Sequence, residues 1–247
     1  MNGLRPQLKA TERLAQASAD FADKLAQTQA VLRQASAEHR QIKQASSLGA
    51  EDVVISHLIA QLGLPITVFV LETGALHHQT LALLERQQAS GRWQLEVHQP
   101  ETRAVIQWVA QYGQESIKQS IERRKDCCRV RKLEPLARAL QHQTAWITGL
   151  RREQSDARAD VPLIDTSEVA TLGRTKFNPL AHWSWGDVWH FIASEHIDYN
   201  PLHDEFFPSI GCAPCTRAIS MGEPFRAGRW WWEDETAKEC GLHVRTA

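Results

Sequence analysis

The chemistry of this 247-residue chain is concentrated in five cysteines. Cys127 and Cys128 are adjacent, Cys212 and Cys215 form a Cys-x-x-Cys pair, and Cys240 stands alone near the C-terminus. Four thiolates in two tight pairs supply the donor set of a tetrahedral metal or an iron–sulfur centre. A vicinal pair departs from zinc-finger spacing, where ligands lie about two to four residues apart. It is also too close for two independent, unstrained disulfide partners. Zinc binding and plain buried thiols are the alternatives left open at this point.

Cys240 has a different setting, in the segment Lys238-Glu239-Cys240-Gly241-Leu242-His243. Lys238 and His243 supply positive charge that lowers a thiol pKa, so Cys240 reads as a nucleophile on a tail able to enter and leave a cleft. Basic residues crowd the paired cysteines: Arg123, Arg124 and Lys125 before the first pair, Arg129, Arg131 and Lys132 after it, and Arg217 beyond the second. Arg151, Arg152, Arg158, Arg226 and Arg229 extend this set. A centre built on four thiolates is anionic, and guanidinium groups are natural ligands of phosphate and sulfate oxygens.

The rest of the chain must position these groups. With 43% hydrophobic and 23% charged residues, it suits one large α/β domain or two small ones. A formal net charge of -1 excludes a global basic field, so no nucleic-acid partner is expected. No apolar run reaches membrane-spanning length and the N-terminus lacks a signal pattern. The chain is therefore expected to be soluble and cytoplasmic, without membrane partners, and in that compartment paired cysteines serve metals or redox chemistry. Nine tryptophans are many for this length, and Trp230, Trp231 and Trp232 are consecutive.

Residues 1–40 read as an amphipathic helical arm, with Leu14, Phe21, Leu25, Val31 and Leu32 at helical spacing. The arm is a candidate surface for homo-oligomer formation. Strands are expected at Ile42 to Ser46, Ile66 to Leu71, Trp93 to His98 and Ala145 to Thr148. Helices are expected after residue 52 to about Leu62, and at Leu76 to Gln88, Thr102 to Tyr112, Val130 to Leu140 and Trp185 to Glu195, with Pro135 an irregularity in the fourth. Alternating short apolar strands and helices imply an open, mostly parallel sheet with helices on both faces. Ligands bind such sheets beyond the carboxyl ends of the strands, which places residues 46–52, 71–74 and 149–158 around one cleft. The first of these loops, Ser46-Ser47-Leu48-Gly49-Ala50-Glu51-Asp52, leaves backbone N–H groups at a helix start, where phosphate binds. Alone it is also compatible with an ordinary strand–helix turn.

Seven ordered motifs add a resemblance: SSLGAED at 46–52, LETG at 71–74, CCRVRKLEPL at 127–136, TGLRREQSDAR at 148–158, GCAPCTRAI at 211–219, RAGRWWWE at 226–233 and KECGLH at 238–243. From about residue 40 to 243 the chain resembles the assimilatory adenylyl-sulfate (APS) reductases, in their iron–sulfur, thioredoxin-dependent bacterial branch. The resemblance implies an adenine-nucleotide alpha-hydrolase-like fold, with a nucleotide- and cluster-binding domain over 41–229 and a tail over 230–247. It implies a [4Fe–4S] cluster on Cys127, Cys128, Cys212 and Cys215. Cys240 would attack the sulfur of APS, expel AMP and become an S-sulfocysteine. Thioredoxin or glutaredoxin would then release sulfite. Ser46, Gly49, Asp52, Leu71 and Gly149 would form the nucleotide cradle, while Lys132, Arg158, Arg226, Arg229 and His243 would surround the phosphosulfate. Glu72 stands where the family often has Asp, and Leu48 where some members have a second Ser.

Three rival readings are distinguishable. Reduction of phosphoadenylyl sulfate (PAPS), alone or beside APS, is the nearest, but relatives specific for PAPS generally lack the four cluster cysteines. An ATP-pyrophosphatase of the same fold would carry a Ser-Gly-Gly-x-Asp-Ser loop, which residues 46–52 do not match. A structural four-cysteine metal domain leaves Cys240 and the arginines without a role.

Overall fold

The computed structural model describes residues 8–234. Cys240, His243 and Lys238 lie outside the described residues. The chain runs through α1 (Ala10–Leu14), α2 (Phe21–Glu38), β1 (Ile42–Ser46), α3 (Ala50–Gln61), β2 (Thr67–Leu71), α4 (His78–Ser90), β3 (Leu95–His98) and α5 (Thr102–Tyr112). It continues with α6 (Ile121–Cys128), a π-helical turn (Arg129–Leu133), α7 (Glu134–Ala139), β4 (Ala145–Ile147), β5 (Ile164–Asp165), α8 (Val169–Leu172), β6 (Thr175–Phe177) and α9 (Trp185–Ser194).

The six strands form one sheet in the order β3-β2-β1-β4-β6-β5, parallel except where β5 runs against β6. Successive strand residues point to opposite faces, and the two faces have separate cores. Val70 and Ile147 join the core under α2, α3, α4 and α9, whereas Phe69 and Trp146 pack with Ala139 and Leu140 at the end of α7. Both faces are thus covered, as parallel strands require. After β1 the chain adds β2 and β3 on one side, then returns to place β4 on the other. That reversal opens a crevice beyond the carboxyl ends of β1 and β4.

Residues 10–38 form two helices, separated by residues 15–20. Their apolar face is taken up within this chain, because Ala10, Val31, Leu32 and Ala35 belong to the main core. The intervening turn is pinned by the buried Asp187 carboxylate at the start of α9, which accepts from the Ser18 N–H at 2.7 Å and from Lys24 Nζ at 3.2 Å. Burial opposes ionisation of Asp187, but hydrogen bonds from Ser18 and Ser184 outweigh it and hold the carboxyl down to about 2. α1 hooks the far end of the chain: the Ala10 N–H donates to Asp204 Oδ1 at 2.6 Å, and Arg13 Nη2 donates to the His203 carbonyl at 2.9 Å. Among the described residues, no helix is long and apolar enough to cross a membrane.

Candidate active site

The crevice holds a cleft of about 200 Å³, walled by Ser46, Gly49, Asp52, Leu71, Gly149 and Arg158, with Lys132, Arg226 and Arg229 at its cationic side. The loop after β1 is held from inside. Asp52, on the first turn of α3, accepts from the Ser47 N–H at 2.7 Å and the Ser47 hydroxyl at 2.6 Å. Burial raises its carboxyl to about 6, against the lowering effect of the Ser47 bonds. A Cβ on Gly149 would overlap Asp52 Oδ1 and come within 2.9 Å of Glu51 Cβ, so the β4 loop approaches α3 this closely only as glycine. Leu48 is 3% exposed with φ of 60°, a left-handed conformation unfavourable for a side chain of this size. Its N–H donates to Ser46 Oγ at 3.2 Å.

A second buried network sets Arg158. The fully buried Arg151 donates from Nε to Glu51 Oε1 at 2.9 Å, and the same oxygen accepts from Gln154 Nε2 at 3.0 Å. Gln154 Oε1 in turn accepts from Arg158 Nη1 at 2.6 Å. Arg151 is therefore a structural cation that fixes the cleft wall, while Arg158 lines it.

The four paired cysteines line a separate, small cavity of about 30 Å³ next to this cleft. Cys127 and Cys128 end α6, and the π-helical turn after them sets Arg131 and Lys132 over the same cavity, as π turns do at many functional sites. Arg131 Nη1 donates to the Thr73 carbonyl at 2.7 Å, and the Thr73 hydroxyl lies 3.3 Å from Cys212 Sγ. The Cys-x-x-Cys turn is fastened at both ends: the Ala213 N–H donates to the Ala75 carbonyl at 2.8 Å, and the Trp230 N–H to the Cys215 carbonyl at 3.1 Å. Trp108, Ile117 and Trp230 make the surroundings apolar. Burial, reinforced by Cys212, pushes the Cys215 thiol up to about 12, and burial also raises Cys127. Among the described residues, no three His, Cys, Asp or Glu side chains form a group able to hold a single metal ion.

Lys132, Arg229 and Trp230 wall both cavities. Gly211 allows this, since a Cβ there would come within 2.6 Å of the Arg229 guanidinium carbon. The guanidinium groups of Arg124 and Arg229 lie 4.4 and 4.7 Å from the centroid of the Trp230 ring, and the Trp230 backbone has a left-handed φ of 41°. Arg124, 1% exposed, also forms a two-point ion pair with Glu233 at 2.9 and 2.6 Å.

Of the basic residues expected around the cysteines, Arg124, Arg131, Lys132 and Arg229 line the thiol cavity. Arg123 stacks on Tyr112, Arg129 pairs with Asp126, and Arg217 pairs with Glu223. Arg152 donates to the Val161 carbonyl. Glu72 turns back to accept from the Gly74 N–H at 2.6 Å, which shapes the turn after β2. Sequence reasoning missed Glu51, Gln154 and His203, each in the wall of the cleft.

The phosphoadenosine phosphosulfate reductase domain matches residues 41–218. The chain belongs to that family. A Burkholderia cepacia relative named adenosine 5'-phosphosulfate reductase is 45% identical over 92% of this chain and 90% of its own length. An Allochromatium vinosum relative of the same name is 51% identical over 81% of this chain and 78% of its own. One from Neisseria meningitidis is 46% identical over 86% of both chains. The crystal structure of phosphoadenylyl-sulfate reductase from Candida auris has the same fold, with a TM-score of 0.65 at 24% identity over 83% of this chain and 98% of that one. Candida glabrata FMN adenylyltransferase, bound to FMN and an ATP analogue, shares the architecture at a TM-score of 0.58 and 13% identity, covering 93% and 83% of the two chains.

Proposed function

We propose that this chain is an enzyme of sulfate assimilation that reduces adenylyl sulfate to sulfite and AMP. The observation that carries the reading is the contact between a cation-lined cleft and a four-thiol cavity, with Lys132, Arg229 and Trp230 common to both walls. The relatives' name supplies the substrate. The Cys240 thiolate attacks the sulfur of APS, the sulfur–oxygen bond to AMP breaks, and the enzyme carries a cysteine S-sulfonate. A dithiol protein, thioredoxin or glutaredoxin, then attacks Cys240 Sγ, releases sulfite and leaves as a disulfide once its second thiol closes on the first. Lys132, Arg158, Arg226 and Arg229 neutralise the phosphate of departing AMP, so the leaving group is stabilised electrostatically rather than by a general acid. His243 adds to the same positive field.

The thiol cavity suits a [4Fe–4S] cluster on Cys127, Cys128, Cys212 and Cys215. Four thiols and four cations surround one apolar space, which matches an anionic cluster with one thiolate on each iron. A cluster held there would supply a fixed negative charge beside Lys132, whose side chain borders both the thiol cavity and the cleft.

The test is made on protein purified without oxygen, assayed for iron, labile sulfide, and sulfite release from APS and PAPS with thioredoxin. About four irons per chain and turnover selective for APS are expected. Cys240→Ser should bind AMP like the parent yet release no sulfite. Turnover by that variant removes Cys240 as nucleophile, and equal turnover of PAPS makes the enzyme a dual reductase.

A further inference from the structure

Within the cleft wall, His203 has no part in the chemistry above, yet its environment is unusual. It is 3% exposed, faces the cleft, and leaves both ring nitrogens without a hydrogen bond. The Phe207 backbone lies beside the ring and favours its charged form, against the larger effect of burial. Unmade hydrogen bonds on buried polar atoms are costly, so a ring held this way has capacity for a partner that is not a protein side chain, whether water or ligand.

The ring's position is firmly set. Trp185 and Trp189 meet it edge-on, at centroid distances of 5.9 and 5.2 Å. Below it, the Asn200 side chain accepts from the Leu202 N–H and donates to Thr80, and Arg13 holds the His203 carbonyl. The charged groups acting on the ring are Glu51, on the first turn of α3, and Asp204. Glu51 is already engaged by Arg151 and Gln154. The ring and the loop after β1 line the same cleft, and backbone N–H groups at the helix start of that loop favour phosphate. Burial pushes its pKa down to about 4, so it enters the site as a neutral imidazole with one N–H to donate and one nitrogen to accept.

We propose that His203 binds the nucleotide, donating a ring N–H to a phosphate oxygen of the adenylyl substrate. This rests on the reading of the cleft as an adenylyl-nucleotide site. It adds a neutral donor to the four cations, on the side of the cleft held by the N-terminal helix.

The experiment compares binding of AMP and adenosine to the full-length, oxygen-free protein and to His203→Phe, His203→Asn and His203→Gln, together with the Tm of each. Phe keeps the aromatic contacts and removes both buried nitrogens. If His203 is a nucleotide contact, AMP binds His203→Phe about tenfold more weakly, adenosine binds unchanged, and Tm holds or rises. Either Asn or Gln, whichever places its amide N–H where the ring N–H lies, should recover most of the AMP affinity. Unchanged AMP affinity in His203→Phe overturns the proposal and leaves the ring to a structural or water-bound role. A lowered Tm with unchanged AMP affinity has the same meaning, and equal losses of AMP and adenosine overturn the phosphate assignment. Failure of the parent protein to bind AMP would instead overturn the function proposed for the cleft.

Discussion

The nucleotide cleft and the thiol cavity share three residues but are built on opposite principles. The cleft is assembled by polar bonds among its own walls: Asp52 holds Ser47, while Glu51, Arg151, Gln154 and Arg158 form one buried chain. The cavity is shaped by apolar packing around thiols, with its cations anchored from outside, Arg131 on Thr73 and Arg124 on Glu233. Walls already cross-linked by hydrogen bonds are formed before a ligand arrives, even where single atoms such as the His203 ring nitrogens stay unpaired. The thiol cavity is lined by three buried cysteines and the half-buried Cys127, and a group bound there would add to its order. The cleft is preorganised for a substrate that comes and goes, and the cavity is suited to a group that stays.

The largest expected effect tests the cavity. Cys215→Ser should reduce iron and labile sulfide from about four per chain to near zero and abolish the visible absorption. Full retention of iron would erase the contrast. In the cleft, Arg151→Met leaves Glu51 buried without its guanidinium, and chemical denaturation should show a loss of about 3–5 kcal/mol. A loss below about 1 kcal/mol would mean that the polar chain does not hold the wall together.

Gly149→Ala should cost less, about 1–3 kcal/mol, with weaker AMP binding as the β4 loop moves off Asp52. Normal affinity would show that this close approach is not what shapes the cleft.

The smallest effect is a cancellation. Asp52 titrates near 6 in the fold against 3.8 for an ordinary aspartate, so its contribution is present below about 3.8 and lost as pH rises through 6. His203 titrates near 4 against 6.5, so its contribution is present above about 6.5 and lost as pH falls through 4. Each is worth about 3 kcal/mol, with opposite slope, so the pair leaves stability nearly flat across this window. Asp52→Asn should unmask a rise in stability from about pH 4 to 6.5, and His203→Phe a fall from about pH 4 to 6. Parallel pH profiles for the parent and both variants would break the account.

β2 and β4 were legible as short apolar runs that stop just before Gly74 and Gly149, and β1, though half polar, begins and ends where the sequence reading places it. β5 and β6 were not, because two- and three-residue strands offer no period to read. The stretch expected as one helix from Val130 to Leu140 is a π turn followed by α7, with Pro135 at the start of α7, where its missing N–H costs nothing. α6 was missed because Glu122, Arg123, Arg124, Lys125 and Asp126 give it a charged rather than an amphipathic pattern. The four paired cysteines and Arg158, Arg226 and Arg229 line the two cavities, whereas Arg123, Arg129, Arg152 and Arg217, singled out on the same charge, stack or pair elsewhere because a guanidinium also serves as a structural cation. Glu51 and His203 were not legible, since a buried polar residue is recognised by its partners, which for Glu51 lie about 100 residues away and for His203 are not protein side chains.

The clasp between α1 and Asp204 also bears on how the chain is made. Ala10 leaves the ribosome 194 residues before the carboxylate that receives its N–H. At about 5–20 residues per second, the first helix waits about 10–40 s for its dock. Through that interval the apolar face of α2, bearing Val31, Leu32 and Ala35, also lacks the α9 side of its core. α1 and α2 are thus made well before the elements they pack on, and their apolar faces stay uncovered until residues 185–204 have followed.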